Sequence, residues 1–324
     1  MPPADPDQPL VSIVTPTYRR ADMLRRAVES VFAQTYHNWE LIVSDDEQPA
    51  GETWTYLQKL AENDGRVRIM RNSGEHGQVS NINLAMTAAR GQWIKPLYDD
   101  DVLKPDCLAV FIKGVASQPQ VAIGACLTDR FVNGELAKPA KLGRRAAVEL
   151  IQHEQAQLAM YLQDVEIGLP SQVMVRRDCI DKGVLFENVN GIACGIDTWW
   201  YARLLEHGDL LLINRPLVEE HQGEHETLTS ATSQEAFDEE LIAFRRMIHP
   251  MINPKLLPMP LNVIEQSLRL NRAIHRLYQR KPLEALGMMM HVYHPRAWGL
   301  ALNWLLRRLF PGAFQLVPRV VVQP

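Results

Sequence analysis

Two runs of acidic residues stand out in the first third of this 324-residue chain, Asp45-Asp46-Glu47 and Asp99-Asp100-Asp101. Adjacent carboxylates repel unless a cation or hydrogen-bond donors neutralise them, so crowding them costs stability. Oxygen donors of this kind suit Mg²⁺ or Mn²⁺, which are held by one or two carboxylates and completed by a substrate's phosphates. One cluster can accept hydrogen bonds from a base or ribose while the other anchors metal and diphosphate. The plainer alternative for the Asp triplet is a solvated turn before the helix that follows Pro105. An acidic pair after a neighbouring strand argues against that. A third pattern, HQGEH from His221 to His225, fits the inverted zinc-protease spacing. That site needs a helix, and Gly223 interrupts it just after a strand.

The elements that must position these groups alternate. LVSIVTPT (Leu10 to Thr17) is β-branched and reads as a buried parallel strand. Asp22 can cap the following helix, whose Leu24, Val28, Val31 and Phe32 share a face. Trp39 to Asp46 is a second strand, Glu52 to Asn63 a helix, Arg66 to Met70 a third strand. Val79 to Ala89 is a helix and Gly91 to Tyr98 a fourth strand. This β-α-β-α-β-α-β order predicts a mostly parallel sheet flanked by helices. Beyond it the pattern predicts a loop over Asn133 to Arg145, a helix over Ala146 to Gln163, and a strand at Ser171. A helix at Asp197 to His207 and a strand from Asp209 to Ile213 follow, the strand closed by Pro216. From Ser233 onward everything reads as helix. The expected division is a disordered N-terminus over 1–9, an α/β domain over 10–230 and a basic helical region over 231–324.

In an open parallel sheet ligands bind at the carboxyl ends of the strands. Thr15-Pro16-Thr17-Tyr18-Arg19, Asp45-Asp46-Glu47 and Tyr98 to Asp101 occupy those ends. No GxGxxG follows the first strand and no GxxxxGK[ST] occurs, which argues against a dehydrogenase-type dinucleotide fold and a P-loop NTPase.

Composition narrows the class further. The chain is 46% hydrophobic and 22% charged, which excludes wholesale disorder. The four cysteines form no CxxC pair and follow no signal peptide, so free thiols in a reducing cytoplasm are expected. No uncharged apolar run approaches the roughly 18–20 residues of a membrane span. The net charge of −4 conceals an asymmetry: residues 266–324 carry nine Lys/Arg against Glu284 alone, or +8, leaving −12 for residues 1–265.

The run VSIVTPTYRRADMLRRAVESVFAQTYHNWELIVSDD resembles the opening of the family 2 glycosyltransferases, which have the GT-A fold. GEHGQVSNINLAMTAARGQWIKPLYDDDVLKPDCL resembles that family's helix, strand and DxD region. The likeness is close over about residues 10–110 and looser over about 165–230. It implies that Thr15 and Asp46 contact the uracil and ribose of a UDP-type donor, with Asp45 supporting that loop. It implies ribose and metal contacts for Asp99 and Asp100, assisted by Asp101, with Mn²⁺ or Mg²⁺ as cofactor. Asn83 matches an Asn common on the helix before the fourth strand, either touching the donor directly or in a supporting, packing role. His225 matches a loop where a His lies near the diphosphate, and a chance polar loop is the alternative there. Asp197 resembles the general base of an inverting transfer to a hydroxyl acceptor, a saccharide or a lipid-linked sugar, as in cell-surface polysaccharide or glycolipid synthesis. The adjacent Trp199 and Trp200 are read as sugar-packing surface or as plain core.

The chain departs from the family pattern at Glu47-Gln48, at Tyr98 where an Asp is common, and at Ile196 where a Glu is common. Two rivals remain: a sugar-phosphate nucleotidyltransferase, against which TPTYRR stands in place of a basic phosphate loop, and a catalytically silent sugar-binding protein. In the basic region, Ile264, Leu268, Ala273 and Leu277 suit docking on the body. Trp298, Trp304, Leu305 and Leu309 beside Arg307-Arg308 resemble an interfacial amphipathic helix. An anionic membrane surface on residues 261–324 is the expected partner, with a cap or homodimer contact as the alternative. Nucleic acid is not expected, since the aromatics form no stacking platform.

Overall fold

Alternate residues of the first strand are buried on opposite faces of one sheet, as strands covered on both sides by helices require. The computed structural model describes residues 8–140, 147–189, 192, 194–222, 233–257, 259–310 and 314–322. Strands β1 (Val11–Thr17), β2 (Trp39–Asp45), β3 (Val67–Arg71) and β4 (Trp93–Pro96) alternate with helices α1 (Ala21–Phe32), α2 (Glu52–Asn63) and α3 (Gln78–Thr87). β1 pairs in parallel with β2 on one side and β4 on the other, and β3 lies outside β2. Ile13, Leu41 and Val43 pack with Leu24, Val28 and Leu57 on the α1–α2 face. Val14, Ile42 and Ile94 pack with Ile82 and Met86 of α3 on the opposite face.

The second half adds β5 (Asp101–Leu103), α4 (Cys107–Val115), β6 (Val121–Val132), β7 (Glu135–Lys138), β8 (Val148–Ile151), α5 (His153–Tyr161), β9 (Val173–Arg176), α6 (Arg177–Asp181), α7 (Ile196–Leu204) and β10 (Asp209–Gln222). β9 is antiparallel to both β4 and β6 and joins the halves of the sheet. Among the described residues four helices follow: α8 (Gln234–Ile248), α9 (Leu261–Tyr278), α10 (Pro282–Met289) and α11 (Pro295–Leu309). The chain then returns as β11 (Val320–Val321), antiparallel to β8. Among the described residues no helix is long and apolar enough to cross a membrane.

Several expectations are corrected. The strand from Asp209 does not close at Pro216 but continues to Gln222, with Pro216 at a register irregularity against β6, where a residue without an N–H is tolerated. The helix expected from Ala146 begins only at His153. Val148–Ile151 is instead a strand, because the edge of β10 takes its backbone as a partner. Part of the expected loop at Asn133 to Arg145 is β7, hairpinned onto β6, while 141–146 lie outside the described residues. Asp22 sits within the first turn of α1 rather than at its cap. Of the N-terminal segment, 1–7 lie outside the described residues. Residues 8 and 9 are tied down, since Asn38 Nδ2 donates to the Gln8 carbonyl (2.6 Å) and Tyr36 Oη to that of Pro9 (2.6 Å).

The basic segment is anchored by charge as well as by apolar contact. Ile264, Leu268 and Ala273 are buried, while Leu277 is exposed. Arg307 Nη1 lies 3.0 Å from Asp164 Oδ1, and Arg319 reaches Glu149 (3.1 Å) and Asp164 (3.3 Å), all with side chains almost wholly buried. Arg307 and Arg319 therefore neutralise acids of the α/β body.

Candidate active site

The chain leaves β1 in opposite directions, toward β2 through α1 and, after β3, toward β4 through α3. This reversal opens a crevice at the carboxyl ends of β1 and β4. Asn81 of α3 binds the strand ends together: its Nδ2 donates to the carbonyls of Thr17 (3.2 Å) and Ser44 (3.0 Å), and its Oδ1 accepts from Ser44 Oγ (2.6 Å). Arg19 takes a left-handed backbone conformation (φ 54°), which turns the chain between β1 and α1 and sets Arg20 beside the acidic triplet.

Asp99 is buried in this crevice. Its Oδ2 accepts from Thr17 Oγ1 (2.8 Å) and its Oδ1 lies 3.3 Å from Arg20 Nη1. The same guanidinium nitrogen stands 3.5 Å from Asp100 Oδ2. Burial, then the neighbouring charge of Asp100, raises the Asp99 carboxyl to about 6, against the opposing pull of Thr17 and Arg20. Asp100 is the more accessible acid at the mouth. Asp101 is drawn into the sheet instead: it opens β5 opposite Glu220 of β10 and hydrogen-bonds the Ser171 side chain. Burial, Asp100 and Glu220 together hold its carboxyl well above the usual range. The triplet expected to act together is therefore split, with Asp99 and Asp100 at the crevice and Asp101 behind it.

The continuation of β10 past Pro216 explains this placement, because β5 pairs only with that second half. Behind the triplet, the buried Lys95 Nζ donates to the Ser171 carbonyl, and the Tyr98 N–H donates to Ser171 Oγ (3.0 Å). Ser171 thus braces both ends of the acidic loop.

Asp46 lies at the end of β2 with its carboxylate fully engaged. Oδ1 accepts from Asn72 Nδ2 (2.8 Å) and meets His76 Nδ1 (3.0 Å), while Oδ2 accepts from the Gly77 N–H (2.8 Å). Gly77 has φ 127°, a backbone that L side chains rarely adopt, so glycine is required for this amide to face the acid. Asp45 is wholly buried and accepts from the Glu47 N–H (3.0 Å), and burial raises its carboxyl. Its Oδ2 and the buried Thr15 Oγ1 lack hydrogen-bond partners among the described residues. Asn83 is placed elsewhere: its amide exchanges two hydrogen bonds with the backbone of Phe186, clamping α3 to the segment before α7. His225 lies outside the described residues. His221, the first residue of the HQGEH pattern, sits in β10 and stacks on Phe131, which gives no helix for a zinc pair.

Asp197 lies in the first turn of α7 and its Oδ1 accepts from the Thr198 N–H (2.7 Å). Gly195 precedes it with φ 85°, and a Cβ there would meet Phe244 of α8 at 2.8 Å, so the helix start is pressed against α8. Burial raises the Asp197 carboxyl to about 6. Burial, followed by the charges of Asp197, Asp100 and Asp101, holds the Tyr98 phenol well above the usual range. Gln78 Nε2 donates to its hydroxyl (3.0 Å). Trp200 is core, fully buried and stacked on Phe186, whereas the half-buried Trp199 donates to Glu187.

The donor set suits a hard divalent cation. It consists of carboxylate oxygens, one accessible and one buried, with Arg20 the cation seen between them. Among the described residues no three His, Cys, Asp or Glu side chains form a closed cage. A metal here would take Asp99 and Asp100 and draw its remaining ligands from a diphosphate.

Residues 12–183, more than half of the chain, match the family described as glycosyl transferase family 2. The chain belongs to that family. Its fold is shared with solved structures of other proteins. It superposes on Staphylococcus aureus TarS 1–349 in complex with UDP-GlcNAc with a TM-score of 0.62 at 15% identity, covering 91% of this chain and 84% of that one. For the mannosyltransferase PcManGT of Pyrobaculum calidifontis in complex with GDP-Man and Mn²⁺, the TM-score is 0.58 at 15% identity, covering 95% and 83%. Over 96 residues it is 34% identical to an Escherichia coli UDP-Glc:alpha-D-GlcNAc-diphosphoundecaprenol beta-1,3-glucosyltransferase, covering 30% of this chain and 37% of that protein. The chain spans about half the length, or less, of the curated relatives it matches.

In this family 2 chain the residues that organise the crevice include several the sequence left unmarked. Thr17 and Arg20 stand in the TPTYRR run, where a hydroxyl and a guanidinium two and five residues past Thr15 were a usable signal. Asn72, His76 and Gly77 follow β3 as Asp46 follows β2, so the strand-end rule points to them also. Ser171 carries no such mark, since only β9 pairing with β4 brings it near.

Proposed function

We propose that this chain is an inverting glycosyltransferase that moves a sugar from a nucleotide diphosphate, UDP in the first instance, to a hydroxyl of a saccharide or lipid-linked acceptor in cell-surface polysaccharide or glycolipid synthesis. One observation carries the reading: Asp99 and Asp100 sit at the crevice beside the carboxyl ends of β1 and β4, with Asp99 held by Thr17 and both acids facing Arg20. Family membership and the fold shared with UDP-GlcNAc- and GDP-Man-bound structures support it. A relative named for a diphosphoundecaprenol acceptor supports a lipid-linked acceptor.

In this mechanism Asp46 and its neighbours bind the nucleoside, and Thr17 and Arg20 hold Asp99 and Asp100 in place. A divalent cation, Mn²⁺ or Mg²⁺, held by Asp99 and Asp100 would offset the charge that develops on the leaving diphosphate. Asp197 takes the proton from the acceptor hydroxyl as its oxygen bonds to the anomeric carbon and the bond to the diphosphate breaks. A single displacement of this kind inverts the anomeric centre. Residues 10–230 supply this chemistry and 231–324 form the appendage. The four cysteines are free and buried, which fits a reducing compartment, so we place the protein in the cytoplasm.

The test is a panel of UDP-, GDP- and dTDP-sugars, read by thermal shift with and without Mn²⁺ and by donor hydrolysis. One donor class should raise the melting temperature in a metal-dependent way. Asp100→Ala should abolish that dependence and lower turnover at least 100-fold. Unchanged binding and turnover in Asp100→Ala would remove the metal assignment.

A further inference from the structure

Helices that cap a soluble body turn their large apolar side chains inward. α10 and α11 turn much of theirs outward. α10 buries Ala285, while Leu283, Leu286 and, just past its end, Met290 face outward. α11 buries Ala297 and Ala301, and turns out Trp298, Leu302 and Leu309, spaced four and seven residues apart along one stripe. These six side chains are between 45% and 83% exposed. Of the sixteen exposed large hydrophobic residues described in the chain, eleven fall between 277 and 314. Both helices lie against α9, and Val263, Leu270, Val292, Ala297 and Ala301 form the small core beneath them.

The exposed charges of this segment are mostly basic. Arg280, Arg296 and Arg308 are exposed, the last lying over the Trp304 ring. Glu284, the one acid in residues 266–324, is paired with Arg276 (3.1 Å) and Lys281 (3.2 Å). Arg307, which the sequence pattern grouped with Arg308, is not part of this rim, because it is buried on Asp164.

We infer that the outer face of α10 and α11 is a docking surface for an anionic phospholipid membrane, with the apolar stripes entering the interface and the three arginines meeting the headgroups. Charge selects this occupant. A second copy seated on the same face by two-fold symmetry would bring two basic segments together, whereas a negative leaflet complements them. The inference gives the cytoplasmic placement a membrane partner, and it stands on observations separate from the donor site.

The test is co-sedimentation of the full chain with vesicles of phosphatidylglycerol and phosphatidylethanolamine, set against phosphatidylcholine alone. Wild type should partition onto the anionic vesicles and only weakly onto neutral ones, with salt reducing the binding. At about 1 kcal/mol per basic residue, Arg280→Ala/Arg296→Ala/Arg308→Ala should weaken anionic binding roughly 100-fold. Leu286→Ser/Trp298→Ser/Leu302→Ser should lose binding to both. All the substituted side chains are exposed, so both variants should melt with the wild type and hydrolyse donor at its rate, which separates failure here from failure of the donor-site reading. Equal binding to neutral and anionic vesicles, unaltered binding by either variant, or a concentration-dependent dimer that the serine variant dissociates would overturn the inference.

Discussion

Replacing Asp197 by Asn should make the protein more stable and nearly inactive. Burial raises this carboxyl from 3.8 to about 6. The native state therefore keeps its proton at a pH where the unfolded chain has lost it, and stability falls as pH rises from about 4 to about 6. By pH 7 the ionised native form carries a penalty of about 3 kcal/mol. Asn removes the charge while its Oδ1 can still accept from the Thr198 N–H. For a chain of this size, about 3 kcal/mol corresponds to a rise of about 4 °C in melting temperature at pH 7, and less at pH 5.

Activity should move the other way. A general base must be ionised, and a carboxyl with a pKa of about 6 is ionised about tenfold less at pH 5 than at pH 7, so kcat/KM should fall about tenfold over that interval. An ordinary aspartate would stay almost fully ionised there. Calorimetry on wild type and Asp197→Asn at both pH values reads the first effect, and transfer rates read the second. Donor affinity measured in parallel keeps protonation of Asp99 apart, since the proposed mechanism puts Asp99 on the donor side. A flat profile between pH 7 and pH 5, an Asn variant that turns over normally, or one that melts below the wild type would each refute the assignment.

Three further outcomes follow from the geometry. Arg20→Ala leaves Asp99 and Asp100 without their shared guanidinium and should lower stability by about 1–2 kcal/mol; melts with Mn²⁺ should show a smaller deficit than melts without it, and an equal deficit would disconnect Arg20 from a cation site. Asn81→Ala removes the three hydrogen bonds joining the ends of β1 and β2, which should cost about 2–3 kcal/mol in urea unfolding and weaken donor binding. Arg319→Ala strands the buried Glu149, while Asp164 keeps Arg307, so a loss of about 3 kcal/mol is expected; a neutral result would mean that β11 does not hold the basic segment to the body.

The sequence by itself determined the strand-helix alternation through residue 96 and the identity of the acids at the strand ends, because buried parallel strands and amphipathic helices both write their periods into nearby residues. It also marked the charge asymmetry between body and tail. Only the tertiary structure decided where those acids sit and what they touch. Asp101 leaves the crevice because β10 runs past Pro216 and recruits β5, a pairing across more than a hundred residues that no local pattern carries. Val148–Ile151 is a strand for the same reason, since a neighbouring edge outweighs a weak helical period. Asn83 and Asn81 are two residues apart on α3 and look alike in sequence, yet the former faces Phe186 and the latter binds the strand ends. Arg307 and Arg308 are adjacent, and on a helix adjacent residues point to different sides, so one is buried against Asp164 while the other is exposed over the Trp304 ring. Composition named the groups, and long-range packing chose which of them meet.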